Sequence, residues 1–243
     1  MSTLSSRPQV PASPPSTNGA ALPAKAPAAS STKQTYLLSY NGISAVLWGL
    51  LLTRLLLLLP LFGPQNLFGG TDSFTRDIQT LALLEPLHSL LGVVRAPLLT
   101  TLMQVSSRLL LVWGIAWLFP AAITSGGADG GWAWAGMLVA WSVTEVVRYG
   151  YFACALGRGG RVPNALVWAR YNFFYVLYPL GISCECWLVA RAVRTGVAER
   201  ELGPVAKWTL VAVLGIYVPG SYILYTHMIA QRRRIMRGKQ RAE

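Results

Sequence analysis

The stretch LYPLGISCE, residues 177 to 185, sets a phenol, Tyr178, and a carboxylate, Glu185, seven residues apart inside an apolar run. Seven residues is close to two helical turns, so on a helix both side chains share one face. A phenol can give a proton and a carboxylate can take one, so the pair suits general acid–base chemistry. A charge in lipid costs a few kcal/mol at least, and an ionisable group inside a membrane span reads by default as functional.

Other polar groups interrupt apolar runs at helical spacing. Gln104 and Arg108 stand at i and i+4, Glu145 and Arg148 at i and i+3, with Tyr149 next to them. Arg170 and Tyr171 precede the Tyr178 segment. Glu85 and His88, at i and i+3, resemble two metal ligands. A convincing site needs three or four, and His227 is the only other histidine, so no metal is expected. Glu145 and Arg148 also have a purely structural reading, as a pair that holds helices together. Arg54 is expected to snorkel toward an interface.

These groups need a scaffold of membrane helices. The 243 residues are 53% hydrophobic and only 12% charged, with mean hydropathy +0.43, too apolar for an ordinary soluble domain. The runs approach the roughly 20 residues that span a bilayer. Short alternating strands, which a barrel would require, are missing from the pattern. The expected fold is all-α, a polytopic bundle of about six transmembrane helices. The segments run from about 36 to 62, 74 to 94, 97 to 120, 132 to 156, 165 to 193 and 205 to 230. GPQNLFGGTDS, TSGGADGG and GRGGRVPN read as the loops between.

Residues 1–33, rich in Ser, Pro and Ala and free of aromatics, are expected to be disordered. They have no apolar stretch of the kind a signal peptide carries. The bundle occupies 34–231, and 232–243 form a basic tail. The net charge of +12 sits largely at tails and loop ends, which argues against nucleic acid and for the positive-inside rule, with both termini cytosolic. The tail can also attract anionic membrane lipids. Cys154, Cys184 and Cys186 form no ligand or disulfide pattern and read as small buried hydrophobes. A thiolate-phosphatase loop needs five residues between Cys and Arg. Cys186 to Arg191 has four and Cys184 to Arg191 has six, so that chemistry is excluded.

YNGISAVLW, QTLALLEPLHSLLGVVRAPLLTTLMQVSSR, WSVTEVVRYGYF, RYNFFYVLYPLGISCE and YTHMIAQRRR, in this order, resemble the very-long-chain (3R)-3-hydroxyacyl-CoA dehydratases, also called protein-tyrosine-phosphatase-like proteins. The resemblance runs from about Tyr36 to about Gln231. It implies an endoplasmic-reticulum membrane enzyme that removes water from a 3-hydroxyacyl-CoA to give the trans-2-enoyl-CoA, the third step of fatty-acid elongation. It implies Tyr178 and Glu185 as the catalytic pair and Gly181 as the glycine of their segment. It also implies the condensing enzyme, ketoreductase and enoyl reductase of elongation as partners.

Loss of water needs a base at C2 and an acid for the departing hydroxyl. Glu185 suits the first role and Tyr178 the second, with the reverse also open. Water loss moves no hydride, so no redox cofactor is expected. Gln104, Arg108, Glu145, Arg148, Tyr149, Arg170 and Gly181 are candidates to line the substrate site. Arg158, Arg161 and Arg170 near its entrance could bind CoA phosphates, since Arg suits phosphate geometry, although positive-inside topology alone accounts for them equally. Two rival classes remain: a non-catalytic scaffold or lipid-binding protein of the same fold, and a transporter. Possession of both Tyr178 and Glu185 favours the enzyme, and the broken repeats of a transporter are not evident.

Overall fold

The computed structural model describes residues 31–240, which are helical throughout apart from short connections. The helices are α1 (Ser31–Phe62), α2 (Pro64–Leu81), α3 (Leu84–Leu90), α4 (Leu98–Leu109), α5 (Ala121–Thr124), α6 (Asp129–Gly157), α7 (Asn164–Asn172), α8 (Phe174–Arg194), α9 (Val197–Leu202) and α10 (Pro204–Gln240). Wide π turns, Leu110–Trp117, continue α4. The expectation for the N-terminal tail lies outside the described residues, except that Ser31–Lys33 form the first turn of α1. The helix of α10 continues into the basic tail.

Among the described residues four helices are long and apolar enough to cross a membrane: Ser31–Phe62, Leu98–Trp117, Phe174–Arg194 and Pro204–Ile235. They account for the first, third, fifth and sixth of the expected segments. The fourth segment corresponds to α6. At 29 residues it is long enough, but its Trp, Gly, Glu and Arg make it less apolar. The second segment is not one continuous helix. The chain turns at Ala82 and Leu83, so the segment is divided between the end of α2 and the seven-residue α3. The fifth is similarly interrupted at Phe173, between α7 and α8.

GPQNLFGGTDS is helix rather than loop. Gly63 takes a left-handed φ of 74°, and Pro64 then starts α2 at the position where its missing N–H costs nothing. Leu67, Thr71, Thr75 and Ile78 form one buried stripe, so glycines that signal a turn locally are overridden by packing. The loop expected at TSGGADGG is shorter too, because α6 begins at Asp129.

The long α6 lies at the centre, with α1 against one side, α8 against another and α2 alongside. α10 is peripheral and rests on α8 and α9. Trp48, Leu51 and Leu55 of α1 meet Trp134, Met137, Leu138 and Trp141 of α6 and Leu188 and Val189 of α8 in one buried cluster. The Trp134 indole donates to the Thr71 hydroxyl at 2.9 Å and joins α6 to α2. Arg191 of α8 donates to the carbonyls of Ala122 and Ser125 and secures the short α5.

The start of α6 approaches its neighbours backbone to backbone. A Cβ on Gly131 would collide with the carbonyl of Pro64, and one on Gly130 with that of Ile123. Gly131→Ala is therefore expected to destabilise the protein by about 1–3 kcal/mol, the usual cost of overpacking. Thermal unfolding in detergent measures this, and an unchanged midpoint would contradict the close approach.

Candidate active site

α8 carries Tyr178 and Glu185 toward a cavity of about 360 Å³ bounded by α4, α6, α8 and α10, with α2, α3 and α7 also contributing. Pro179 lies within the helix between them, and buried Gly181 follows. A Cβ on Gly181 would already touch Ala140 at 3.5 Å and approach Glu185 Oε1 at 3.9 Å, so this glycine keeps the space beside the carboxylate free.

Glu185 is 4% exposed, and each of its oxygens has a donor. Trp141 Nε1, from α6, donates to Oε1 at 2.8 Å. The Tyr217 hydroxyl, from α10, donates to Oε2 at 3.1 Å. Tyr178 has different partners. Its hydroxyl donates to the Ser221 carbonyl at 3.1 Å, and its ring stacks on Tyr225 at 5.6 Å between centroids. A carbonyl can only accept, so the phenol holds its proton. An indole N–H can only donate, so Oε1 of Glu185 accepts.

A chain of charges borders the same cavity. Arg108 of α4 donates to Glu145 Oε1. Arg148 donates through Nε to Glu145 Oε2 at 2.6 Å, and through its two terminal nitrogens to both oxygens of Glu85 on α3, at 2.5 and 3.0 Å. The Tyr149 hydroxyl also donates to Glu85. Two cations and two anions thus neutralise one another across three helices, an arrangement that offsets the cost of removing charges from water. The Arg108 guanidinium also lies over the Trp141 ring at 5.1 Å, linking this chain to the indole that holds Glu185.

Of the residues singled out in the sequence, Gln104, Arg108, Glu145, Arg148, Arg170, Tyr178, Gly181 and Glu185 line this one cavity. Tyr149 does not line it and instead supports Glu85. The structural reading of Glu145 and Arg148 holds in that they do pair, but the pair extends to Arg108 and Glu85. Glu85 and His88 diverge: Glu85 meets Arg148, while His88 Nε2 shares a 2.7 Å hydrogen bond with the Tyr36 hydroxyl. Among the described residues no group of three His, Cys, Asp or Glu gathers as a metal site. Arg170 packs over the rings of Tyr151 and Phe152 at 4.6 and 4.5 Å. Arg158 and Arg161 are exposed in the loop after α6 and stand outside the cavity lining.

The protein tyrosine phosphatase-like protein family model, PTPLA, matches residues 79–238, which contain all the residues that line this cavity. The chain belongs to this family. Its curated relatives carry a more specific description. The probable very-long-chain (3R)-3-hydroxyacyl-CoA dehydratase of Schizosaccharomyces pombe is 40% identical over 204 residues, covering 84% of this chain and 93% of that one. The very-long-chain (3R)-3-hydroxyacyl-CoA dehydratase of Caenorhabditis elegans is 38% identical over 218 residues, covering 84% and 96%. A rice relative, PASTICCINO 2A, bears the same dehydratase description and is 34% identical over 222 residues, covering 85% and 95%. No solved structure matches the chain.

Trp141 and Tyr217 went unnoticed in the sequence. They reach Glu185 from separate helices, 44 residues before it and 32 after it, and no spacing rule connects them. The one available signal is that an indole and a phenol each supply a donor where the surroundings are apolar.

Proposed function

We propose that this membrane protein dehydrates very-long-chain (3R)-3-hydroxyacyl-CoA to the trans-2-enoyl-CoA, the third step of very-long-chain fatty-acid elongation. The observation that carries the reading is the buried Glu185 carboxylate, held from both sides beside a cavity that Tyr178 shares. Membership of a family whose curated relatives are described as dehydratases agrees with it.

Glu185 removes the C2 proton. The C2–H electrons form the C2–C3 double bond as the C3–O bond breaks, and the hydroxyl leaves as water with the Tyr178 proton. Proton return from Glu185 to Tyr178, directly or through water, restores both groups. The donors to both Glu185 oxygens suit a proton acceptor, and the protonated phenol suits a donor, so the geometry favours this assignment of roles over the reverse.

The substrate is an acyl-CoA, whose apolar chain belongs among the helices and whose phosphates belong near water. Arg170 is the basic residue of the loop-side group that reaches the cavity, and it is assigned the CoA headgroup. Replacing Arg158, Arg161 and Arg170 together by Gln is expected to raise KM for the CoA thioester roughly tenfold, the worth of one charge-assisted hydrogen bond. Arg170→Gln alone should account for most of the rise; an unchanged KM would leave all three to topology.

The proposed location is the endoplasmic-reticulum membrane, as the resemblance to the elongation dehydratases implies, with both termini cytosolic, an orientation that the basic loops and tail support. The condensing enzyme, ketoreductase and enoyl reductase of elongation are the proposed partners: the reductase of the keto group makes this substrate, the enoyl reductase consumes this product, and the condensing enzyme supplies the chain to both. The test is direct. Purified protein in detergent is given a long-chain (3R)-3-hydroxyacyl-CoA and enoyl-CoA is followed. Turnover supports the reading, and none with a substrate proven on another dehydratase favours a non-catalytic lipid-binding role.

A further inference from the structure

Helix α10 is the outermost of the long helices, and among its described residues only Leu210 and Tyr217 are buried. Lipid provides little hydrophobic drive for one apolar helix to join others, so packing and hydrogen bonds decide where α10 docks. Its contacts with α8 follow a single face. Tyr217, Ser221 and Tyr225 recur every four residues, one helical turn apart. The Tyr217 hydroxyl holds Glu185 Oε2 at 3.1 Å. The Ser221 carbonyl accepts from Tyr178 at 3.1 Å. The Tyr225 ring stacks on Tyr178 with an interplanar angle of 20°. The proposed acid and base are therefore each held by the neighbouring helix.

We infer that Tyr217 is a positioning residue for Glu185. Together with Trp141 it fixes the rotation of the carboxylate toward the cavity, and the α10 face that bears it sets the spacing between Glu185 and Tyr178. The inference rests on the proposed dehydratase reading. Two donors on opposite oxygens leave the carboxylate little freedom to turn away from C2. Removing one frees it, and small errors in the placement of a reacting group cost large factors in rate.

The experiment compares steady-state dehydration by wild type, Tyr217→Phe, Trp141→Phe and Leu210→Ala. Leu210→Ala loosens α10 by packing alone, two turns before Tyr217. Thermal unfolding in detergent accompanies each variant. Tyr217→Phe is expected to lower kcat by roughly ten- to a hundredfold, with KM changed by no more than about twofold. Trp141→Phe should give the same signature, and it tests the clamp independently if Tyr217→Phe does not fold. Leu210→Ala should lower the unfolding midpoint while kcat stays near that of wild type. The inference is overturned if Tyr217→Phe keeps full kcat, or if Leu210→Ala matches its kcat loss, since α10 would then act only by docking. Failure of wild type to turn over a proven substrate would instead overturn the dehydratase reading itself.

Discussion

Glu185→Gln is expected to lower dehydration by roughly 10²–10⁴-fold, the usual worth of a positioned general base. The amide keeps the shape of the side chain and can still accept from Trp141, but it cannot take a proton from C2. Tyr178→Phe should cost a similar factor through loss of the proton donor. The Tyr178 ring would remain stacked on Tyr225, so folding is expected to survive. Following enoyl-CoA formation by each variant, with thermal unfolding measured alongside, decides the matter. Full activity in both variants would move the chemistry to other residues. Loss in one alone would show that water or another group fills the second role.

The second large effect concerns stability. Glu145 is 3% exposed and lies between Arg108 and Arg148. Glu145→Gln leaves two cations in an apolar setting with one carboxylate, Glu85, for both. Breaking a buried ion pair from one side costs about 3–5 kcal/mol. The variant is thus expected to unfold at a clearly lower temperature in detergent and to accumulate poorly. Adding Arg108→Gln removes the surplus charge and should restore part of the loss. If the double variant is no better than the single one, the penalty arises from packing and not from charge.

Much of this was legible in the sequence, and the reason is the cost of polarity in lipid. Apolar length marked most of the helices, and Arg108, Glu145, Arg148, Arg170 and Glu185 inside them stood out as ionisable. Eight of the eleven residues named as site candidates line one cavity, and Tyr149, Arg158 and Arg161 do not. What escaped notice depends on contacts between distant segments. Glu85 and Arg148 pair across 63 residues, and either could have been given another partner. Trp141 and Tyr217 carry no charge to advertise them. The segment at 74–94 was read as one helix, since hydrophobicity alone does not reveal the turn at Ala82 and Leu83. Gly69 and Gly70 suggested a loop, yet they lie within α2, and Gly70 leaves room for Leu58 of the preceding helix.

The central place of α6 has a consequence for how the protein is made. α1 is synthesised first, but the polar Asn41 and Ser44 on its inner side belong to a buried face that packs chiefly against α6. The whole of α2, α3 and α4 must emerge before that partner exists. At roughly 5–20 residues per second, this interval lasts on the order of ten seconds. Throughout it, the nascent first helix must wait in the bilayer with its eventual inner face open to lipid or to insertion factors. The backbone contact between Pro64 and Gly131 can close only afterwards, so α1 and α2 find their place on α6 only once the middle of the chain has been made.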